Sequence, residues 1–208
     1  LRKAIKVQLK QNGKNYGQEI ELSEANDWQH IFKNLPESKN GVAYEYTVEE
    51  TDIPEGYTYE VVTEGITSTI TNRILSGVKQ DLTFKKELEG RDLVEGEFTF
   101  NLLDENGDTV QTAQNASDGT ITFKDVVFDK AGTYKYSVVE VSGDDSQITY
   151  DKSVKNVTIE VKQEDKAYVA TVTYDANTTF KNKYTPKLEP SKPQKDLPNT
   201  GTSSLVST

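Results

Sequence analysis

Lys86, Glu140 and Asn182 are an amine, a carboxyl and a carboxamide, each standing where alternation calls for an apolar side chain. Leu82, Phe84, Lys86 and Leu88 fall on every second position, as do Tyr134, Tyr136, Val138 and Glu140, and as do Phe180, Asn182 and Tyr184. Alternate residues of an extended strand share one face, so three polar groups from three strands project toward one core. Desolvating an isolated charge costs several kcal/mol, which makes buried charges rare. Three arrangements satisfy the pattern. The residues can lie at strand ends bent into water. They can form a buried Lys86–Glu140 ion pair with Asn182 hydrogen-bonded beside it. Or they can react. An apolar pocket lowers a lysine pKa and raises a glutamate pKa. Neutral Lys86 Nζ would then attack Asn182 Cγ, while protonated Glu140 hydrogen-bonds the carboxamide oxygen and shuttles protons. Ammonia leaves and an isopeptide bond remains, formed once and without a cofactor.

Little else in the chain invites catalysis. There is no Cys and one His, which excludes thiol chemistry and argues against a zinc site, and a Ser-His-Asp triad would have to use His30. His30 alternates with Trp28 and Phe32 and reads as a half-buried strand residue. Asp104-Glu105-Asn106-Gly107-Asp108 lacks the later glutamate and the glycine position of a calcium loop and reads as a hairpin turn. No cofactor and no metal are expected. The net charge of −10 argues against nucleic acid or an anionic membrane surface as partner. No run of eighteen apolar residues is present to span a bilayer as a helix.

The elements that must position the three residues are strands. Val, Ile, Thr and Tyr fill short alternating runs punctuated by Asn-Gly, Asp-Gly and Ser-Gly turns, the pattern of β-sandwiches. Strands are expected near 4–10, 17–22, 28–33, 42–50, 57–62 and 66–73. A second set is expected near 79–89, 96–103, 108–113, 119–124, 132–141, 154–162, 167–174 and 178–184. The two sets repeat each other. Tyr44-Glu45-Tyr46-Thr47-Val48-Glu49-Glu50 matches Tyr134-Lys135-Tyr136-Ser137-Val138-Val139-Glu140, and Ile70-Thr71-Asn72 matches Phe180-Lys181-Asn182. The break falls near Ser76-Gly77. It gives a first unit over 1–76, small for a stable core, and a second over 77–185 of comfortable size.

Residues 79–184 resemble the streptococcal pilin isopeptide-linkage domain. The resemblance is carried by Lys86-Glu87-Leu88-Glu89-Gly90-Arg91, Gly96-Glu97-Phe98-Thr99-Phe100, Gly132-Thr133-Tyr134-Lys135-Tyr136, Val139-Glu140, Ile148-Thr149-Tyr150-Asp151 and Phe180-Lys181-Asn182-Lys183-Tyr184. It implies a Lys86–Asn182 bond assisted by Glu140, the residues that strand phase also selects. Residues 2–73 resemble the collagen-adhesin B-type repeat, through Val7-Gln8-Leu9, Asn12-Gly13-Lys14, Trp28 with Phe32, Leu35-Pro36, Tyr46-Thr47-Val48-Glu49-Glu50, Gly56-Tyr57 and Ile70-Thr71-Asn72. There Glu50 and Asn72 are the counterparts of Glu140 and Asn182, in phase with Tyr46, Val48, Ile66 and Ile70. The lysine counterpart falls before residue 1. Lys6 is out of phase with Ile5 and Val7, and Lys3 sits at the chain end, so no bond is expected in this unit.

Near the C-terminus, Leu197-Pro198-Asn199-Thr200-Gly201 resembles the LPxTG signal of Gram-positive surface proteins. The resemblance implies cleavage of the Thr200–Gly201 bond by a sortase and transfer of the Thr200 carbonyl to peptidoglycan. Pro198 keeps Leu197 out of a helix, and the Pro/Lys-rich stretch 186–193 suits a stiff spacer. A sorting signal continues into an apolar span and a basic tail, and an exported chain opens on a signal peptide. The sequence therefore reads as a fragment at both ends. Taken together, the expectation is an all-β chain. It has two tandem Ig-like β-sandwiches and an extended 186–208 tail, forming the stalk of a wall-anchored adhesin or pilin-like surface protein that is not a turnover enzyme. Expected partners are the sortase, peptidoglycan after anchoring, and a host-surface ligand or pilin subunits. The rival reading is a ligand-binding module for a host matrix protein or glycan.

Overall fold

The computed structural model describes residues 3–188 and the single position 201. Its first eight strands are β1 (Ile5–Gln11), β2 (Lys14–Asn15), β3 (Ile20–Leu22), β4 (Ser38–Lys39), β5 (Val42–Ala43), β6 (Tyr46–Thr51), β7 (Tyr57–Glu64) and β8 (Thr67–Ile74). β1 is the hub. It pairs antiparallel with β2, β3 and β6. The β1–β2 hairpin turns on Asn12 and Gly13, both at positive φ, which is what a two-residue turn matched to strand twist requires. β4–β5 and β7–β8 are separate hairpins. The core of this unit is thin: among its described apolar residues only Val7 and Leu9 are buried within it, while Leu75 packs into the core of the second unit.

The remaining strands are β9 (Val78–Glu89), β10 (Thr99–Leu103), β11 (Thr109–Gln114), β12 (Thr120–Phe128), β13 (Gly132–Glu140), β14 (Ile148–Thr149), β15 (Lys155–Glu164), β16 (Ala167–Tyr174) and β17 (Thr179–Tyr184). They form two facing sheets, β12-β9-β17-β14 and β11-β10-β13-β15-β16. Every pairing is antiparallel except one. The first strand, β9, and the last, β17, lie side by side and parallel, with Lys86 opposite Phe180 and Leu88 opposite Asn182. Leu82, Phe100, Leu102, Ile121, Phe123 and Phe180, drawn from both sheets, have no exposed surface. The two units touch directly: the Gln163 side chain accepts from the Gly56 N–H (2.9 Å) and donates to the Tyr57 carbonyl (3.0 Å).

Two local expectations are corrected. No strand forms over 28–33. A 3-10 turn at Glu24–Asn26 precedes it, with the Asn26 side chain accepting from the Ser23 N–H, and Asp27 and Trp28 both adopt left-handed φ. Two such residues in succession reverse the chain and break an extended run. His30 is accordingly exposed, edge-on to Phe32, and is not a half-buried strand residue. Asp104–Asp108 is a turn in which Asp104 Oδ1 accepts from the Asn106 and Asp108 N–H groups.

Candidate functional site

β9, β13 and β17 carry Lys86, Glu140 and Asn182 into the space between the two sheets. Alternation puts each on the inner face of its strand, and all three are buried: Lys86 is 1% exposed, Glu140 8% and Asn182 2%. Lys86 and Asn182 belong to the adjacent parallel strands β9 and β17, two residue pairs apart in register, and Glu140 comes from the opposite sheet. The Glu140 carboxyl binds both. Lys86 Nζ donates to Oε2 at 2.6 Å, and Asn182 Nδ2 donates to Oε1 at 2.5 Å. Lys86 is held in place through its backbone. Its N–H donates to the Gly119 carbonyl at 2.7 Å, and its own carbonyl lies so near Gly119 that a Cβ there would come within 2.2 Å of it. Gly119, at φ +84°, is a position where any other residue would displace the lysine strand.

The pocket around the pair is apolar. Lys86 Nζ lies 4.5 Å from the centroid of the Phe98 ring and 5.8 Å from that of Phe100, and Phe100 stacks obliquely on Phe180. Burial lowers the Lys86 pKa, against the opposing pull of Glu140. Burial raises the Glu140 pKa, against the bonds from Lys86 and Asn182. Both shifts favour the uncharged pair, a free amine beside a protonated acid. The nearby Glu97 does not compete for the lysine, because Arg91 pairs with it and holds its pKa down.

Asn182 is oriented from its other side. Asp151 N–H donates to Asn182 Oδ1 at 2.7 Å. A backbone N–H can only donate, so the carboxamide atom it meets must be the oxygen, which leaves Nδ2 toward Glu140. This corrects one expectation: Glu140 meets the carboxamide nitrogen, not its oxygen. Sequence reasoning gave Asp151 no role, and the short strand β14 just before it was also missed. The available signal was the spacing Asp151-Lys152-Ser153, an aspartate whose side chain folds back to the N–H two residues on.

In the first unit, Glu50 is 3% exposed and accepts from Asn72 Nδ2 at 2.9 Å, and its pKa is raised chiefly by burial. Asn72 itself is exposed, although alternation put it on an apolar face. The cause is topological. β8 pairs with β7 alone, whereas β17 is flanked by both β9 and β14, so Asn72 has a paired strand on one side only. Among the described residues no lysine pairs with Glu50. Intact-mass measurement should therefore show no more than one ammonia lost from the whole chain, and the loss of two would show that this unit reacts as well. Leu197, Pro198, Asn199 and Thr200 lie outside the described residues, and Gly201 is exposed.

The model of the family described as the Spy0128-like isopeptide containing domain, FctA, matches residues 82–185, half of the chain. The chain belongs to the FctA family. Ahead of the FctA domain, residues 1–73 match the Cna protein B-type domain. A collagen adhesin of Staphylococcus aureus is 29% identical over 189 residues, which is 88% of this chain and 14% of that protein. The chain thus spans about a seventh of the length of this curated relative. Two crystal structures of the Staphylococcus aureus collagen binding protein are also similar. One holds two B repeat units (27% identity, 88% of this chain and 44% of that one, TM-score 0.41). The other holds a single B repeat unit (25% identity, 89% of each chain, TM-score 0.32). The FctA and Cna B-type families are structural domains of adhesin- and pilin-like surface proteins, and this chain is of that kind, not a turnover enzyme.

Proposed function

We propose that residues 77–185 staple themselves through a Lys86–Asn182 isopeptide bond, with Glu140 as the proton shuttle, and that the stapled domain is a stalk segment. One observation carries the reading: the amine and the carboxamide sit on the two oxygens of a single, fully buried carboxyl group. Held this way, the reacting groups need no diffusive encounter. Neutral Nζ attacks Asn182 Cγ, and the carbonyl π pair moves to Oδ1. Glu140 takes a proton from Nζ through Oε2 and delivers one to Nδ2 through Oε1. The Cγ–Nδ2 bond breaks, ammonia leaves and the carbonyl re-forms. The ion pair and the reactive neutral pair hold the same number of protons, so the step needs no external acid or base. The intact chain should weigh one ammonia less than its sequence, and a full sequence mass would sink the reading.

Residues 1–76 form a B-type unit without a staple in this reading, and residues 186–208 a wall-spanning linker. The segment 197–201 supplies the sortase signal that joins the protein to peptidoglycan on a Gram-positive surface. Incubation with sortase and a glycine nucleophile should release residues 201–208, and an inert chain would remove the anchoring part of the proposal. A host-ligand or pilin-subunit contact would then be the work of other parts of the protein. The collagen adhesin's name does not bring collagen binding to a chain that spans 14% of it.

A further inference from the structure

Asp151 is not used by the shuttle, yet it is the residue that touches the reacting carbonyl. Its N–H points at Asn182 Oδ1 from 2.7 Å, the atom on which negative charge develops when Nζ adds to Cγ. We infer that the Asp151 backbone N–H is the oxyanion donor of the cross-linking step, and that the Asp151 carboxylate is the positioning group that aims it. The inference rests on the stapling reading above and assigns the electrophilic half of its chemistry.

The aim is built from both sides of the loop. Asp151 Oδ1 accepts from the Ser153 N–H at 2.7 Å, closing the chain back on itself just beyond β14. Oδ2 accepts from the Lys181 N–H at 2.8 Å, clamping the loop to β17 one residue before Asn182. A single side chain therefore fixes the 151 peptide relative to the asparagine that its own N–H contacts. Burial works against the charged form of Asp151, but the bonds from Ser153 and Lys181 outweigh it and hold the pKa low, so the clamp is a carboxylate at neutral pH. The division of labour follows from geometry. Both Glu140 oxygens are committed to nitrogen atoms, one on the nucleophile and one on the leaving group, so neither is free to stabilise Oδ1. Without the 151 N–H, the oxyanion would form in an apolar cavity lined by phenyl rings, where an unsolvated charge is most costly. A preorganised N–H in such a place adds most in the transition state, and losing one donor of this kind slows related reactions about 10²- to 10³-fold.

The test follows ammonia loss by intact mass after the full 208-residue chain, assembled under denaturing conditions, is released into folding buffer. Replacing residue 151 by the α-hydroxy analogue of aspartate turns its N–H into an ester oxygen and leaves the side chain in place. This chain should mature about 10²- to 10³-fold more slowly than wild type. Asp151→Asn keeps the N–H and a carbonyl acceptor for the clamp, and should stay within about threefold of wild type. Asp151→Ala keeps the N–H but loses both anchors, and should fall between the two. An ester chain maturing at the wild-type rate overturns the inference, as does Asp151→Asn slowed as much as the ester, which would assign the effect to charge. A second measurement does not depend on the residue-151 variants folding: in the non-reacting Lys86→Met chain, the Asp151 amide hydrogen should exchange with solvent as slowly as those of neighbouring β17, and exchange at an open-loop rate would overturn the geometry. If wild type itself never loses ammonia, the stapling reading falls and takes this one with it. If wild type matures while the ester keeps pace, only the oxyanion assignment falls.

Discussion

Lys86→Met should raise the intact mass to that expected without ammonia loss and lower the melting temperature of the second domain by on the order of 20 °C. The bond closes a loop of about 96 residues, from Lys86 to Asn182. In the chain-entropy treatment, closing a loop of that length in the unfolded chain stabilises the fold by roughly 4–5 kcal/mol. Methionine has nearly the volume of the lysine and no charge, so it fills the pocket between Phe98 and Phe100 without a desolvation cost. The loss it reports is that of the link together with that of the Lys86 partner of Glu140, whose carboxyl keeps its bond from Asn182. Glu140→Ala should also restore the full mass, because the shuttle is gone, but it should melt lower still. It strands the Lys86 amine and the Asn182 carboxamide in the core without their shared partner, and breaking a buried pair from one side costs about 3–5 kcal/mol. The expected order is wild type above Lys86→Met above Glu140→Ala, read by intact mass and calorimetry. A Lys86→Met chain with the wild-type melting temperature would show that no covalent link contributes to stability.

The burial of Lys86, Glu140 and Asn182 was legible because facing in or out on a sandwich strand is a property of a single residue step. A run such as Leu82, Phe84, Lys86, Leu88 states it without reference to any other strand. Features set by neighbours were less legible. Trp28, His30 and Phe32 alternate as cleanly as any strand, yet the turn closed by Ser23 and Asn26 and the left-handed Asp27 and Trp28 override that local pattern. Asn72 has the right phase and lies exposed, because the covering of a strand depends on which strand lies beside it. The Asp151 N–H was invisible for a different reason. Every residue but proline carries that donor, and only the path of the chain decides which one meets a carboxamide oxygen.

Under force, the wild-type second domain should not extend, whereas Lys86→Met should release about 300–350 Å of chain. The ends of the domain leave from the start of β9 and the end of β17, and these strands are parallel neighbours. Pulling on the two ends therefore loads the pair in shear, with its ladder of hydrogen bonds strained together. That arrangement resists on its own account, so the variant should hold to an intermediate force before it gives way. Once the ladder fails, residues 87–181 have nothing across them, and at roughly 3.3–3.6 Å per residue the whole segment pays out. A Lys86–Asn182 bond bridges the two loaded strands directly, so tension crosses from β9 to β17 without entering the seven strands between them in sequence. The first unit supplies an internal standard. Glu50 and Asn72 hold no lysine there, so residues 5–74 should extend by about 230–250 Å in both chains. Single-molecule traces of the wild type should then contain the first-unit step alone, and those of Lys86→Met should contain both. A wild-type trace with the longer step at the variant's force would mean that the load path runs through hydrogen bonds, and that the parallel pairing of first and last strands has a purpose other than carrying a covalent staple.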